Sequence, residues 1–244
     1  MPRTPRIELP GGIHHVYNRG NNGEIVYVDD ADYAFFLTEL KACSIAYRWN
    51  CLAYCLMPNH LHLVIETPEM TLGNGMRRLA GQYAQEFNRR HRPKGGHVFQ
   101  GRFGSKIAES DEYAAHLLRY VAMNPVRARL CASPEDWRWS SHRDLLAGTP
   151  ESAHARARVE SLLLAWGGTE GGGYARLFEM DPAMFEPFAG APPWSPRPPL
   201  SELLGASPQR GEIRTARAYG YRFAEIADVL GVHESTVSRW LRRG

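Results

Sequence analysis

Two apolar runs, Asn50–Leu56 and His60–Glu66, are separated only by Met57-Pro58-Asn59. A break of hairpin size between two strand-like runs predicts antiparallel neighbours. The second run, His60-Leu61-His62-Leu63-Val64-Ile65, is short, apolar and β-branched at its end, and reads as a buried strand. Side chains alternate faces along a strand, so His60 and His62 point one way while Leu61 and Leu63 enter the opposite layer. Two imidazoles side by side on a rigid element suit a divalent metal. The pair alone does not decide: two solvent-facing or hydrogen-bonded histidines on an edge strand would show the same spacing.

The flanking elements set the fold class. A strand is expected over Ile13–Arg19, with turn chemistry at Gly20-Asn21-Asn22-Gly23. A helix follows over about Asp30–Tyr47, with Tyr33, Phe36, Leu37 and Leu40 at helical spacing. Beyond the hairpin, a helix over about Leu72–Arg90 carries Met76, Leu79, Tyr83 and Phe87 on one stripe, and a strand is expected near Val98–Ala108. This β-α-β-β-α-β order is the ferredoxin-like arrangement: an α+β fold, an antiparallel sheet with helices on one face.

A further helix begins after Ser110 or Asp111, either of which can cap it, and Leu117, Leu118 and Val121 give it an apolar face. Pro125 disfavours α geometry at Asn124, which places the helix end there. Tyr120 and Asn124, four apart, share one side. A phenol beside a metal-ligating amide would be a nucleophile facing its own Lewis acid; a half-buried core tyrosine and a helix-ending asparagine are the alternative. Tyr113 and His116 are rivals on that face.

The chain of 244 residues is 43% hydrophobic, enough for a real core, and its formal charge is only +3. The charge is unevenly spread. Between Thr71 and Lys106 stand Arg77, Arg78, Arg89, Arg90, Arg92, Lys94, Arg102 and Lys106 against Glu86 alone. Such a strip can follow a phosphate backbone. The interleaved Tyr83, Phe87, Phe99 and Phe103 either stack on unpaired bases or belong to the core. Cys43, Cys51, Cys55 and Cys131 lack paired C-x-x-C spacing and are expected as free thiols. With no apolar signal segment and no run of membrane-spanning length, a cytoplasmic protein is expected.

Past Trp139-Ser140-Ser141 the pattern changes. A helix is expected over Glu151–Trp166, then glycine breaks, then eight prolines within residues 182–208, which read as a semi-rigid linker without regular structure. Phe223–Leu230 closed by Gly231, and Glu234–Arg243, form a helix-turn-helix pattern, with Ala227, Gly231 and Val237 where two crossing helices approach, turn and pack. Trp240 and Leu241 would complete its core, and Ser235, Thr236, Ser238, Arg239 and Arg242 would face duplex DNA. The organisation expected is a catalytic domain over 1–145, a helical extension and linker over 146–206, and a DNA-recognition module over 207–244.

Taken in order, GGIHHVYNRGNNG, NHLHLV, RYVAMNPVRARL and WRWSS resemble the single-tyrosine HUH transposases, and within them the REP-associated tyrosine transposases. The resemblance spans roughly residues 7–145. It implies a ferredoxin-like fold with the histidines on a central strand, Tyr120 as the DNA-attacking nucleophile, and His60 and His62 as ligands of a divalent ion, Mg²⁺ or Mn²⁺. In related transposases the third ligand is often a glutamine four residues after the tyrosine; here that place holds the shorter Asn124. The implied partner is single-stranded or hairpin DNA, with duplex DNA a further partner of the tail, and the protein a monomer or homodimer. The implied reaction nicks and rejoins one strand through a 5′-phosphotyrosine link. A DNA-binding regulator of palindromic repeats that has lost cleavage is the alternative; a metal-dependent phosphoesterase using water would leave Tyr120 without a role.

Overall fold

The four strands, β1 (Gly12–Arg19), β2 (Asn50–Met57), β3 (His60–Thr67) and β4 (Gly104–Ile107), form one antiparallel sheet in the order β2-β3-β1-β4. This is a computed structural model, and it describes residues 8–167, 173–181, 200–204, 212, 213, 216 and 223–242. The hairpin turns at Pro58-Asn59, and β3 lies between β2 and β1, so the histidine strand is central.

Helices α1 (Asp30–Tyr47) and α2 (Leu72–His91) cover one face, as the ferredoxin-like order requires. Asp29 and Asp32 form a capping box that starts α1. Tyr33, Phe36 and Leu40 of α1 and Met76, Leu79, Tyr83 and Phe87 of α2 pack with Val16, Leu61, Leu63 and Ile65 into one core layer. The aromatics of the basic strip, including Phe99 and Phe103, belong to this layer, which removes them as free stacking platforms.

The opposite face is also covered, a correction to the expectation of helices on one face only. Helices α3 (Asp111–Arg127), α4 (His142–Ala147), α5 (Ala153–Trp166) and α6 (Gly173–Glu179) pack there over Ile13, Leu52, Cys55, Met57 and Val64. The reason is the alternation of β2 and β3, which places apolar side chains on both sides and leaves neither face fit for water.

Two boundaries move. The strand expected over Val98–Ala108 shrinks to β4, because Phe99 makes a single bridge to Gly20 and the chain then turns to send Phe99 and Phe103 inward. Helix α3, capped by the Ser110 side chain, runs through Pro125 to Arg127 instead of stopping at Asn124. The last turn closes as a Schellman motif: Arg129 takes φ 56°, its N–H bonds the Val126 carbonyl, and Leu130 N–H bonds that of Pro125. Burial of Pro125 and these closing bonds offset the proline's missing donor.

The WRWSS stretch covers the outer edge of β2. Leu56 N–H bonds the Trp139 carbonyl at 2.9 Å and Ser141 N–H bonds that of Tyr54 at 3.0 Å, while Trp139 stacks flat on Tyr33 at 4.4 Å. An exposed edge that would invite strand pairing is thereby closed. The four cysteines are free.

A separate apolar cluster joins α7 (Leu200–Leu203), α8 (Phe223–Leu230) and α9 (Glu234–Arg242). Helix α7 falls within the proline-bearing stretch, so regular structure is not excluded throughout it. Its residue Leu200 and the neighbouring Leu204 pack with Ile226, Ala227 and Val237, which gives a locally apolar segment a reason to be helical. Gly231, at φ +62°, turns the chain between α8 and α9 in the left-handed region that disfavours other residues. Trp240 is 39% exposed and lies outside the cluster, contrary to expectation; the side chain of Leu241 is outside the described residues.

Candidate active site

Strand alternation builds the site. On β3, His60 stands opposite Arg19 and His62 opposite Tyr17 of β1. Since β1 obeys the same period, His15, Tyr17 and Arg19 share that face, and Lys106 of β4 stands beside His15. Helix α3 crosses above and brings Tyr120 down onto the imidazoles: its ring centroid lies 5.5 Å from that of His62 and 5.8 Å from that of His15, both edge-on. His60 and His62 are themselves edge to face at 5.1 Å. Tyr120 is 4% exposed, His60 5%, and His15, His62 and Asn124 are fully buried.

The hydrogen bonds around these groups are one-sided. His60 Nδ1 is 2.7 Å from Asn59 Oδ1, and His62 Nδ1 is 3.0 Å from His15 Nε2. The Asn124 amide donates through Nδ2 to the Tyr120 carbonyl at 2.9 Å. His62 Nε2, Asn124 Oδ1 and His15 Nδ1 are all buried and without a hydrogen-bond partner among the described residues. A buried polar atom without a partner calls for an explanation, and a bound ion would supply one at His62 Nε2 and Asn124 Oδ1. Two ring nitrogens and an amide oxygen are donors a divalent ion accepts, so His60, His62 and Asn124 fit one. Burial pushes His62 down to about 3 and His15 well below the usual histidine range, so both stay neutral at physiological pH, as ligation requires.

Around the phenol, the Arg127 guanidinium lies 5.5 Å from the Tyr120 ring centroid and brings positive charge to this end of α3. Of the two rivals, His116 faces another helix, meeting Trp166 of α5 edge-on at 5.9 Å. Tyr113 is half-buried, with its phenol raised by burial and then by Glu109 and Tyr17. Residues that sequence reasoning did not single out are His15, Tyr17, Arg19, Asn59 and Arg127. A signal was present for the first three: a strand with His, Tyr and Arg at every second position puts chemistry on one face.

Residues 24–124 match the family model described as "Transposase IS200 like". The chain carries an IS200-like transposase domain. Residues 213–243 match a homeodomain-like domain, in agreement with the helix-turn-helix pattern. A Haemophilus influenzae protein named for the REP-associated tyrosine transposases is 29% identical over 123 residues, covering 46% of this chain and 70% of that one. The solved structure of a REP-associated tyrosine transposase bound to a REP hairpin superposes with a TM-score of 0.53 at 18% identity, covering 61% of this chain and 87% of that one. At that identity the likeness establishes the fold, and it agrees with the α+β architecture described above.

The transposase domain carries its basic strip along α2 and the following loop. Arg77 and Arg102 line a groove of about 550 Å³ between α2 and residues 96–103, floored by Met76, Phe99 and Phe103. Arg78 is exposed, and Arg89 is exposed but doubly bonded to Glu86. Arg90 differs: it pairs with Asp29 at 2.7 Å and with buried Asp32, tying the end of α2 to the start of α1. The cluster of Asp29, Asp32 and His91 thus already holds a cation, the Arg90 guanidinium. Lys106 is exposed on the edge strand, on the imidazole side of the sheet. In the tail, Ser235 is exposed with its hydroxyl 2.8 Å from His233 Nδ1, and Thr236 is half-buried. The side chains of Ser238, Arg239 and Arg242 lie outside the described residues. Among the described residues no helix is long and apolar enough to cross a membrane.

Proposed function

We propose that the chain is a metal-dependent single-strand DNA transesterase that nicks and rejoins hairpin or palindromic DNA through Tyr120. The observation that carries this reading is the buried meeting of Tyr120 with His62, with His62 Nε2 and, one turn along α3 from Tyr120, Asn124 Oδ1 left without hydrogen-bond partners among the described residues. A pure DNA binder gains nothing from that arrangement. The IS200-like domain and the fold shared with a hairpin-bound transposase support DNA as the partner.

In the proposed reaction the Tyr120 oxygen attacks the scissile phosphorus and loses its proton as the new P–O bond forms. The bond to the 3′ oxygen breaks, and that oxygen takes up a proton as a free 3′-hydroxyl. The 5′ phosphate stays joined to Tyr120, so attack by a 3′-hydroxyl on this link reseals a strand without ATP. A divalent ion, Mg²⁺ or Mn²⁺, held by His60, His62 and Asn124 would polarise the phosphate and stabilise its developing charge. Arg127 beside the phenol, with Arg19 on the floor of the site, adds positive charge where phosphate must enter. Because Tyr120 and His62 meet within one chain, a single copy carries the full set.

The groove between α2 and residues 96–103 holds Arg77 and Arg102, and β4, next along the chain, sets Lys106 on the imidazole face. A strand following it would pass from the groove to Tyr120, its phosphates met in turn. We propose Arg77, Arg78, Arg89, Arg102 and Lys106 for this path, without Arg90, and a duplex-reading role for the tail through Ser235, Thr236, Ser238, Arg239 and Arg242. Incubation with labelled hairpin DNA and Mn²⁺, followed by a denaturing gel, tests the proposal. A covalent adduct is expected; binding without an adduct under any divalent ion would leave the regulator reading.

A further inference from the structure

We infer that His15 is a positioning residue for the metal site: it accepts the Nδ1–H of His62 and so sets the tautomer that offers the Nε2 lone pair of His62 to an ion. The inference rests on the metal reading proposed above.

The two ligand histidines are treated alike. At His60 the acceptor is Asn59 Oδ1, 2.7 Å from Nδ1, and its identity is fixed because the Asn59 amide nitrogen donates to the Gly23 carbonyl at 3.2 Å. His60 must therefore donate from Nδ1. At His62 the place of Asn59 is taken by a residue from another strand: His15 Nε2 lies 3.0 Å from His62 Nδ1, with the rings nearly parallel at 27° and centroids 5.2 Å apart. Both rings are fully buried, so water does not compete for the bond.

An imidazole ligand whose far nitrogen is held by an acceptor keeps its ring orientation and its tautomer, and loss of such a partner commonly weakens metal binding by about 10–100-fold. In the opposite tautomer, His15 would donate and the His62 proton would sit on Nε2, where it would block the ion. The pairing of β1 with β3 fixes the distance between the two rings, since His15 stands opposite Val64 and His62 opposite Tyr17.

Two readouts test this without recourse to turnover. Long-range ¹H–¹⁵N spectra of the metal-free protein should show His62 protonated at Nδ1. Mn²⁺ titration by calorimetry should show H15F, which keeps a ring but no acceptor, weakened about 10–100-fold, while H15Q, whose Oε1 reaches the place of Nε2, recovers affinity to within roughly threefold of wild type. An Nε2–H tautomer of His62, or equal affinity of H15F and wild type, would overturn the inference and leave the metal reading standing. A wild-type protein that takes up no Mn²⁺ would overturn both. Should H15F fail to fold, the wild-type spectrum and H15Q still decide.

Discussion

Tyr120 meets His62 edge-on within the same chain, centroids 5.5 Å apart and planes at 82°. The nucleophile candidate and the ligand candidate are therefore brought together by packing between α3 and the sheet. A Tyr120→Phe variant keeps the ring that packs and removes only the oxygen. It should form no covalent adduct with hairpin DNA in a denaturing gel, while hairpin affinity by fluorescence anisotropy stays within a few-fold. An adduct that persists would move the nucleophile elsewhere, with Tyr113 the next residue to test.

The three ligand candidates should not respond equally. His60→Ala and His62→Ala are each expected to eliminate metal-dependent cleavage, because the strand fixes both rings and nothing else can take their places. Asn124→Ala should weaken cleavage less, since a water can stand where the Oδ1 acceptor was. Single-turnover rates at saturating Mn²⁺ separate the cases; equal loss in all three would make Asn124 a full ligand.

Arginines of the basic strip divide into two kinds. Arg77→Ala with Arg102→Ala should weaken hairpin binding and lower the slope of log affinity against log salt by about 2, one for each lost phosphate contact. Arg90→Ala should leave that slope unchanged and instead lower the melting temperature, because it removes the guanidinium that pairs with Asp29 and, beside His91, with buried Asp32. A salt slope altered by Arg90→Ala would return this residue to the DNA surface.

Acid should destabilise the metal-free protein earlier than carboxylate protonation would. Burial depresses His15 well below, and His62 to about 3 from, the ordinary 6.5. A group depressed in the folded state is protonated first in the unfolded chain. Stability is thus full above about pH 6.5 and falls between there and about 3, at roughly 1.4 kcal/mol per pH unit for each such histidine. Melting curves in chelator from pH 8 to pH 5 should show the decline, and Mn²⁺ should raise the melting temperature at pH 7 by binding only the folded form. A flat melting temperature across that range would contradict the burial of neutral histidines.

The tail should be separable. Among the described residues its apolar cluster includes Leu200 and Leu204, so the cut belongs before Leu200 and not at 207. Removing residues 200–244 is expected to leave cleavage of a short hairpin intact and to reduce binding to longer DNA with flanking duplex, since a helix-turn-helix reads a major groove that the short substrate lacks. Lost short-hairpin cleavage by a truncated protein that remains folded would make the tail part of the active assembly.

Local pattern alone determined a good part of this protein. Alternation in HLHLV put His60 and His62 on one face, helical spacing put Tyr120 with Asn124, and the order of elements gave the ferredoxin-like sheet, because each depends on residues near in sequence. Tertiary structure decided the rest. That Tyr120 lies over His62, and that His15 holds its far nitrogen, follows from the pairing of β1 with β3 and the crossing of α3, contacts between segments 47 to 105 residues apart. Arg90 reads as one more cation in a basic strip until Asp29 and Asp32 of another helix are brought against it. Pro125 reads as a helix stop until burial and the closing bonds of Arg129 and Leu130 carry the helix past it. A periodic pattern states which side of an element faces inward; which partner waits there is fixed only when distant elements pack.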